Sequence, residues 1–102
     1  MKFDETMVRE EFAKKREEGK IPERTLETLE LYVWRGLPTG GFLRAFLAND
    51  LQGAIGRADS RNFAAFKELA QLIHWGLPIG SHGSYERVDE WGETMRSNDD
   101  DH

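Results

Sequence analysis

The sequence predicts an all-α fold, a compact bundle of five to six short helices. Three observations carry that reading. Apolar residues recur at helical spacing in several separate segments. Each segment is bounded by a capping side chain or by Gly and Pro. No strand-length run of alternating apolar and polar residues occurs.

The first helix is expected from Phe3 to Glu18, with Phe3, Met7, Val8 and Phe12 on one side. Its other side is dense in charge, and Glu10 and Lys14 stand in the favoured i,i+4 order before Gly19 stops the helix. Pro22 opens a second helix, because a first-turn residue needs no N–H partner. Leu26, Leu29 and Val33 form its buried stripe, and Gly36 is a left-handed stop. The run Leu37-Pro38-Thr39-Gly40-Gly41 cannot continue a helix and reads as a turn. Thr39 is then expected to cap a third helix carrying Phe42, Leu43, Phe46 and Leu47.

Asn49-Asp50 interrupts the pattern, and Asp50 caps a short piece with Leu51, Ala54 and Ile55. Asp59 or Ser60 caps a longer helix with Phe63, Phe66, Leu69, Ala70 and Ile73. Gly76-Leu77-Pro78 is expected to end it in the manner of Gly36-Leu37-Pro38, the same turn chemistry used twice after a Trp. Ser84 caps a last helix bearing Tyr85, Val88, Trp91 and Met95. Residues 1–96 are thus expected to form a single helical domain, and residues 97–102 a disordered acidic tail.

A chain of 102 residues is the size of one domain, and 38% hydrophobic residues with three Trp and six Phe suffice for one modest core. The absence of Cys excludes disulfides, cysteine-built zinc sites and thiol catalysis. MKFDETMVREEF has no apolar run of the kind a signal peptide needs, and no segment approaches the length of a membrane span. A cytoplasmic monomer is expected.

Nucleophile and metal signatures are thin. No His-x-x-x-His or Glu-x-x-His spacing joins His74, His82 or His102, so zinc-type sites lack their scaffold. His74 reads as a partly buried helix-end residue and His82 as a solvated loop residue. Gly80-Ser81-His82-Gly83-Ser84 sets hydroxyls beside an imidazole, but neighbours in sequence rarely reach triad geometry, and capping accounts for Ser84. No Gly-x-Ser-x-Gly elbow or phosphate-binding loop occurs. A protein that is not an enzyme, with no cofactor and no metal, is expected.

The acidic residues are more informative. The net charge of −5 argues against direct nucleic-acid binding, which needs clustered Lys and Arg. Lys14-Lys15-Arg16 is the one basic stretch, and Glu17-Glu18 follow it directly. The opposite role is permitted: a decoy that occupies a basic nucleic-acid groove on another protein. Glu23, Glu27 and Glu30 line one face of the second helix, distinct from its apolar stripe, at a carboxylate spacing close to that of phosphates along a strand. Asp89, Glu90 and Glu93 add a second patch, extended by Asp99-Asp100-Asp101. Both rows read equally as solvated helix faces. Trp34, Trp75 and Trp91 read as core anchors or as interface residues, and Trp34, at the edge of its stripe, is the best placed of the three for a partly exposed contact.

One pattern is distinctive: Tyr32-x-x-x-Gly36-x-Pro38-x-Gly40-Gly41-Phe42-Leu43-Arg44-Ala45, then Leu47-x-Asn49-Asp50-Leu51, then Ala54-x-x-Arg57-Ala58-Asp59-x-x-Asn62, and later Gly83-Ser84 with Trp91. It resembles a family of small proteins common in bacteriophage and prophage genomes, over about residues 29 to 91. In that setting the chain also resembles the anti-CRISPR proteins directed at type I surveillance (Cascade) complexes, of type I-F and then I-E. That resemblance implies a small, non-enzymatic viral inhibitor in the bacterial host cytoplasm, bound to a ribonucleoprotein whose basic channel would otherwise take target DNA. The partner-binding residues expected on this reading are Glu23, Glu27, Glu30, Asp89, Glu90, Glu93 and Trp34. The alternative is a small phage accessory or regulatory protein that binds another host or phage protein through Trp34 and apolar surface near it.

Overall fold

The computed structural model describes the backbone of residues 3–100 and the side chains of residues 3–98. It is all-α, with no strand among the described residues. Its Cα radius of gyration of 12.8 Å is that of one folded domain of this length, about 13 Å. One apolar core runs through it, from Val8 and Phe12 to Val88 and Trp91.

Helix α1 (Glu5–Glu18) starts where the Asp4 carboxylate accepts from the Met7 N–H at 3.1 Å, and ends at Gly19 with φ 72°. The stripe that it buries is narrower than the sequence suggests. Val8, Phe12 and Lys15, at i, i+4 and i+7, are buried, whereas Met7 lies about 100° round the helix and is exposed. Lys15 is tolerated inside because its amino group donates to Gln71 Oε1 at 2.9 Å and to Glu18 at 3.3 Å. Lys14 pairs with Glu11 and not, as the i,i+4 order suggested, with Glu10.

Helix α2 (Glu23–Arg35) is the central element. It follows Pro22 and buries Thr25, Leu26, Leu29, Tyr32 and Val33 before Gly36 stops it at φ 72°. Helices α3 (Gly41–Leu47) and α4 (Leu51–Arg57) form a short hairpin. Gly40, not Thr39, occupies the cap of α3, and the Thr39 hydroxyl donates to the Gly40 carbonyl instead. Asn49, at φ 64°, turns the hairpin, and Asp50 caps α4 by accepting from Gly53 N–H at 2.9 Å. Only Ala54 of α4 is buried; Leu51 and Ile55, expected in the core, face out.

The single long helix expected after Asp59 is two. Helix α5 (Ser60–Ala64) is capped by Asp59, and helix α6 (Phe66–Gln71) restarts one residue later. At Ala65 the amide bonds back three residues to Asn62, which tightens the turn and re-aims the chain. Phe63 of α5 and Phe66 of α6 join Phe42 and Phe46 in an aromatic row at centroid spacings of 5.0–5.8 Å, and Leu69 of α6 enters the core. Phe63 itself stays largely exposed.

Helix α6 then widens into a π turn, Leu72–Gly76. The wider turn buries Leu72, Ile73 and Gly76 and leaves His74 and Trp75 outside. Gly76 does not stop the helix as Gly36 does, for its φ is not positive; it is small because a Cβ there would crowd the Glu11 side chain of α1. A 3-10 turn, Ile79–Ser81, leads to helix α7 (Tyr85–Asp100), capped by Ser84. Helix α7 continues through Ser97 to Asp100, where a disordered tail was expected, because no Gly or Pro follows Arg96 to end it. Asp101 and His102 lie outside the described residues.

The inner face of α7 locks onto the end of α2. The Tyr32 hydroxyl donates to Ser81 O at 2.7 Å and lies 3.3 Å from Val88 O, and Trp91 Nε1 donates to Val33 O at 3.2 Å. Arg96 donates to Gly36 O, so carbonyls at and just beyond the C-terminal end of α2 are met by donors from α7. Gly36 and Gly92 approach so closely that a Cβ on Gly36 would collide with the Gly92 carbonyl. Gly19 has the same φ of 72° but open space around it. Replacing Gly36 by Ala is therefore expected to cost about 2 kcal/mol or more, and Gly19→Ala only about 1 kcal/mol. Urea denaturation of the two variants checks the difference.

Candidate functional site

The residues expected to bind a partner fall into two groups with different fates. Glu23, Glu27 and Glu30 do share a face of α2, but that face is turned toward α1. Arg16 Nε donates to both Glu23 oxygens at 2.8 and 2.9 Å, and its terminal nitrogens reach Glu30 at 2.7 and 3.4 Å. Glu30, then Glu23, holds the Arg16 guanidinium above its ordinary range, so the charge on this clasp is permanent. Two of the three glutamates thus close the α1–α2 contact. Glu27 is exposed and has no salt-bridge partner among the described residues.

The basic stretch is consumed in the same way. Lys14 pairs with Glu11, Lys15 is buried on Gln71, and Arg16 is taken by Glu23 and Glu30. No basic patch remains there.

On α7 the acidic residues split. Asp89 accepts two bonds from Arg44 at 2.9 and 3.0 Å, and Arg44 also lies 4.5 Å over the Tyr85 ring. The Tyr85 hydroxyl donates to Asp50 and holds that carboxyl below its usual value, with Gly53 N–H adding to the effect. Asp89 therefore joins α7 to the α3–α4 hairpin. Glu90 and Glu93 are exposed, and with Glu86 they stand at i, i+4 and i+7. Val88 and Trp91 face the core, so this triplet lies on the opposite, solvent side of α7. None of the three has a salt-bridge partner among the described residues. They form an unpaired acidic ridge. Glu86 was not singled out from the sequence, although its spacing to Glu90 and Glu93 repeats that of Glu23, Glu27 and Glu30.

The tryptophans also change places. Trp34 is half-buried, with Phe3 at 5.4 Å and the Arg9 guanidinium 4.3 Å over its ring, a partly exposed edge as its place beside the stripe implied. Trp91 is core. Trp75 is the exposed one, at 68%, and Ile79 beside it is 82% exposed. With Phe3, Met7, Val8, Leu77 and Pro78 the two line a groove of about 550 Å³. Each would gain about 1.5–3 kcal/mol on being covered. The π turn puts Trp75 outside, a register shift that apolar spacing alone does not reveal.

The Ser–His segment is structural. Ser81 is buried and its hydroxyl donates to Pro78 O at 2.6 Å, while Ser84 caps α7. His74 is exposed rather than partly buried. His82 is the reverse of the solvated residue expected: its Nε2 is buried and has no hydrogen-bond partner among the described residues. Among the described residues, no three His, Asp or Glu side chains are grouped so as to hold a metal ion, and no helix is long and apolar enough to cross a membrane. No protein-family model, curated protein or solved structure matches the chain.

Burial pushes the His82 imidazole below its ordinary value, and His74 and Arg87 push it the same way. The folded state thus favours the neutral ring, while the unfolded chain takes up a proton below about pH 6.5. This contribution to stability is present above that pH and is lost as pH falls toward the depressed folded value. The urea midpoint is expected to drop on acidification through that window, with a shallower slope in His82→Leu. Equal slopes in the two proteins would contradict the assignment.

Proposed function

We propose that the chain is a non-enzymatic binding protein that presents the α7 ridge to a basic nucleic-acid channel on another assembly and keeps nucleic acid out of it. One observation carries the reading: the charge is segregated. From Gln71 onward there are seven acidic residues against two arginines, a balance of −5 equal to that of the whole chain, so the first seventy residues are neutral. Glu86, Glu90 and Glu93 display part of that charge on one rigid, outward helix face. Carboxylates one turn apart, about 5–6 Å, form a row that Arg and Lys side chains of a channel can meet together.

The resemblance to phage anti-CRISPR proteins supports a specific partner, a type I surveillance complex in the bacterial host cytoplasm. On this reading Glu86, Glu90 and Glu93 meet the channel. Glu27 stands apart from the ridge, and Glu23, Glu30 and Asp89 are paired with Arg16 and Arg44. The accessory-protein alternative rests on Trp34, which is half-buried against Phe3 and Arg9.

The purified protein is expected to co-elute with a type I-F complex and abolish its target-duplex gel shift, with affinity falling as salt rises. Reversing Glu86, Glu90 and Glu93 to Lys together is expected to remove co-elution while leaving the far-UV circular dichroism unchanged. Glu27→Lys serves as a control that keeps binding. A triple reversal that still binds would sink the ridge. A wild-type protein that binds neither the I-F nor a I-E complex would sink the named partner.

A further inference from the structure

We infer that the Trp75–Ile79 face is a self-association surface whose occupant is a second copy of this chain, in place of the monomer expected from the sequence. The face carries a projection and a recess side by side. Trp75 and Ile79 stand out and also form part of the wall of the groove that runs between the start of α1 and the Leu77-Pro78 segment. A surface that holds both halves of a contact is what a two-fold, isologous pairing requires, since the same patch must serve each partner. The rim is complementary as well: Asp4, a carboxylate acceptor, and His74, an imidazole donor, both line the groove and are exposed.

The projection is held in place before any partner arrives. His74 lies edge-on to the Trp75 ring, centroids 4.5 Å apart and planes at 86°. The backbone below is pinned, because Gly76 is buried and lies close against Glu11 of α1. The Trp75 ring therefore has less freedom to lose on association. Trp75, Ile79 and Met7 together expose on the order of 400 Å² of mostly apolar surface, within the range of a monomer's largest patch. An interface of ordinary size needs about 800 Å² per partner, so exposed polar neighbours such as Asp4 and His74 must supply the rest.

Charge decides between a second copy and a strongly charged partner. Beside Trp75 the charges cancel, with Glu11 paired to Lys14 and Glu18 to Lys15. The ridge points elsewhere: Phe3, at the edge of the groove, packs 5.5 Å from Trp91 on the inner side of α7, opposite Glu86, Glu90 and Glu93. Two copies of an acidic chain can therefore meet here without bringing their ridges together.

Sedimentation equilibrium of the full chain, from low micromolar to several hundred micromolar, tests this. The mass is expected to rise from one copy toward two. Ile79→Asp and Trp75→Ser, both at exposed positions, are each expected to weaken association at least about tenfold, as an anchor worth more than about 1.4 kcal/mol would. Circular dichroism confirms that each variant is folded. Phe63→Ser, an exposed aromatic of another face, leaves the mass profile unchanged. A chain that stays single at every concentration overturns the proposal, whether or not another protein occupies the face. A dimer that survives both substitutions also overturns it. Neither outcome depends on the surveillance-complex experiment.

Discussion

The contact on which the rest of the molecule depends is the one between the end of α2 and the middle of α7. A helix leaves its last carbonyls without partners, and inside a protein those groups must find donors. Here the donors come from α7: Trp91 Nε1 reaches Val33 O, and Arg96 reaches Gly36 O just past the helix end. The Tyr32 hydroxyl in turn donates to the carbonyl of Ser81, with that of Val88 close by. Only Gly at 36 lets the two backbones come that close, and it also supplies the left-handed turn that stops α2. A single position thus ends one helix and seats another.

Because its inner face is fixed in this way, α7 can expose a straight outer face. Charge on that face needs no internal partner, since it stands in water. The contrast with α2 is instructive. The same i, i+4, i+7 spacing of glutamates appears on both helices, yet on α2 it meets Arg16 across the α1–α2 contact, and on α7 it meets solvent. Spacing places residues on a face. What lies opposite that face decides whether they hold the fold or remain free for a partner.

That distinction separates what could be read from the sequence from what could not. Of the six helices placed from the sequence, five are present as single elements, and most caps and stops hold because they are local chemistry: Asp50, Asp59 and Ser84 accept the N–H groups expected of them, and Gly19 and Gly36, though not Thr39 or Gly76, act as expected. The central stripe, Leu26, Leu29 and Val33, is buried as its spacing implies. The departures lie where tertiary contacts overrule a period. Ala65 breaks a helix that looked continuous, the π turn rotates Trp75 outward, and Leu51 and Ile55 face solvent on a helix too short to bury more than Ala54. The acidic surface was half legible: Glu90 and Glu93 are on it, Glu86 shares their spacing, and the loss of Glu23 and Glu30 to Arg16 required knowing where α1 lies.

Amide hydrogen exchange on the free protein tests the central claim most directly. If the α2–α7 contact holds the fold together, the slowest amides are those of Leu29–Val33 and Val88–Gly92, exchanging as one class through global unfolding. Helix α7 would then be as protected along its inner face as α2 itself. An α7 that exchanges rapidly while α2 stays protected would show a peripheral helix. The contact would then be a consequence of the fold and not its support.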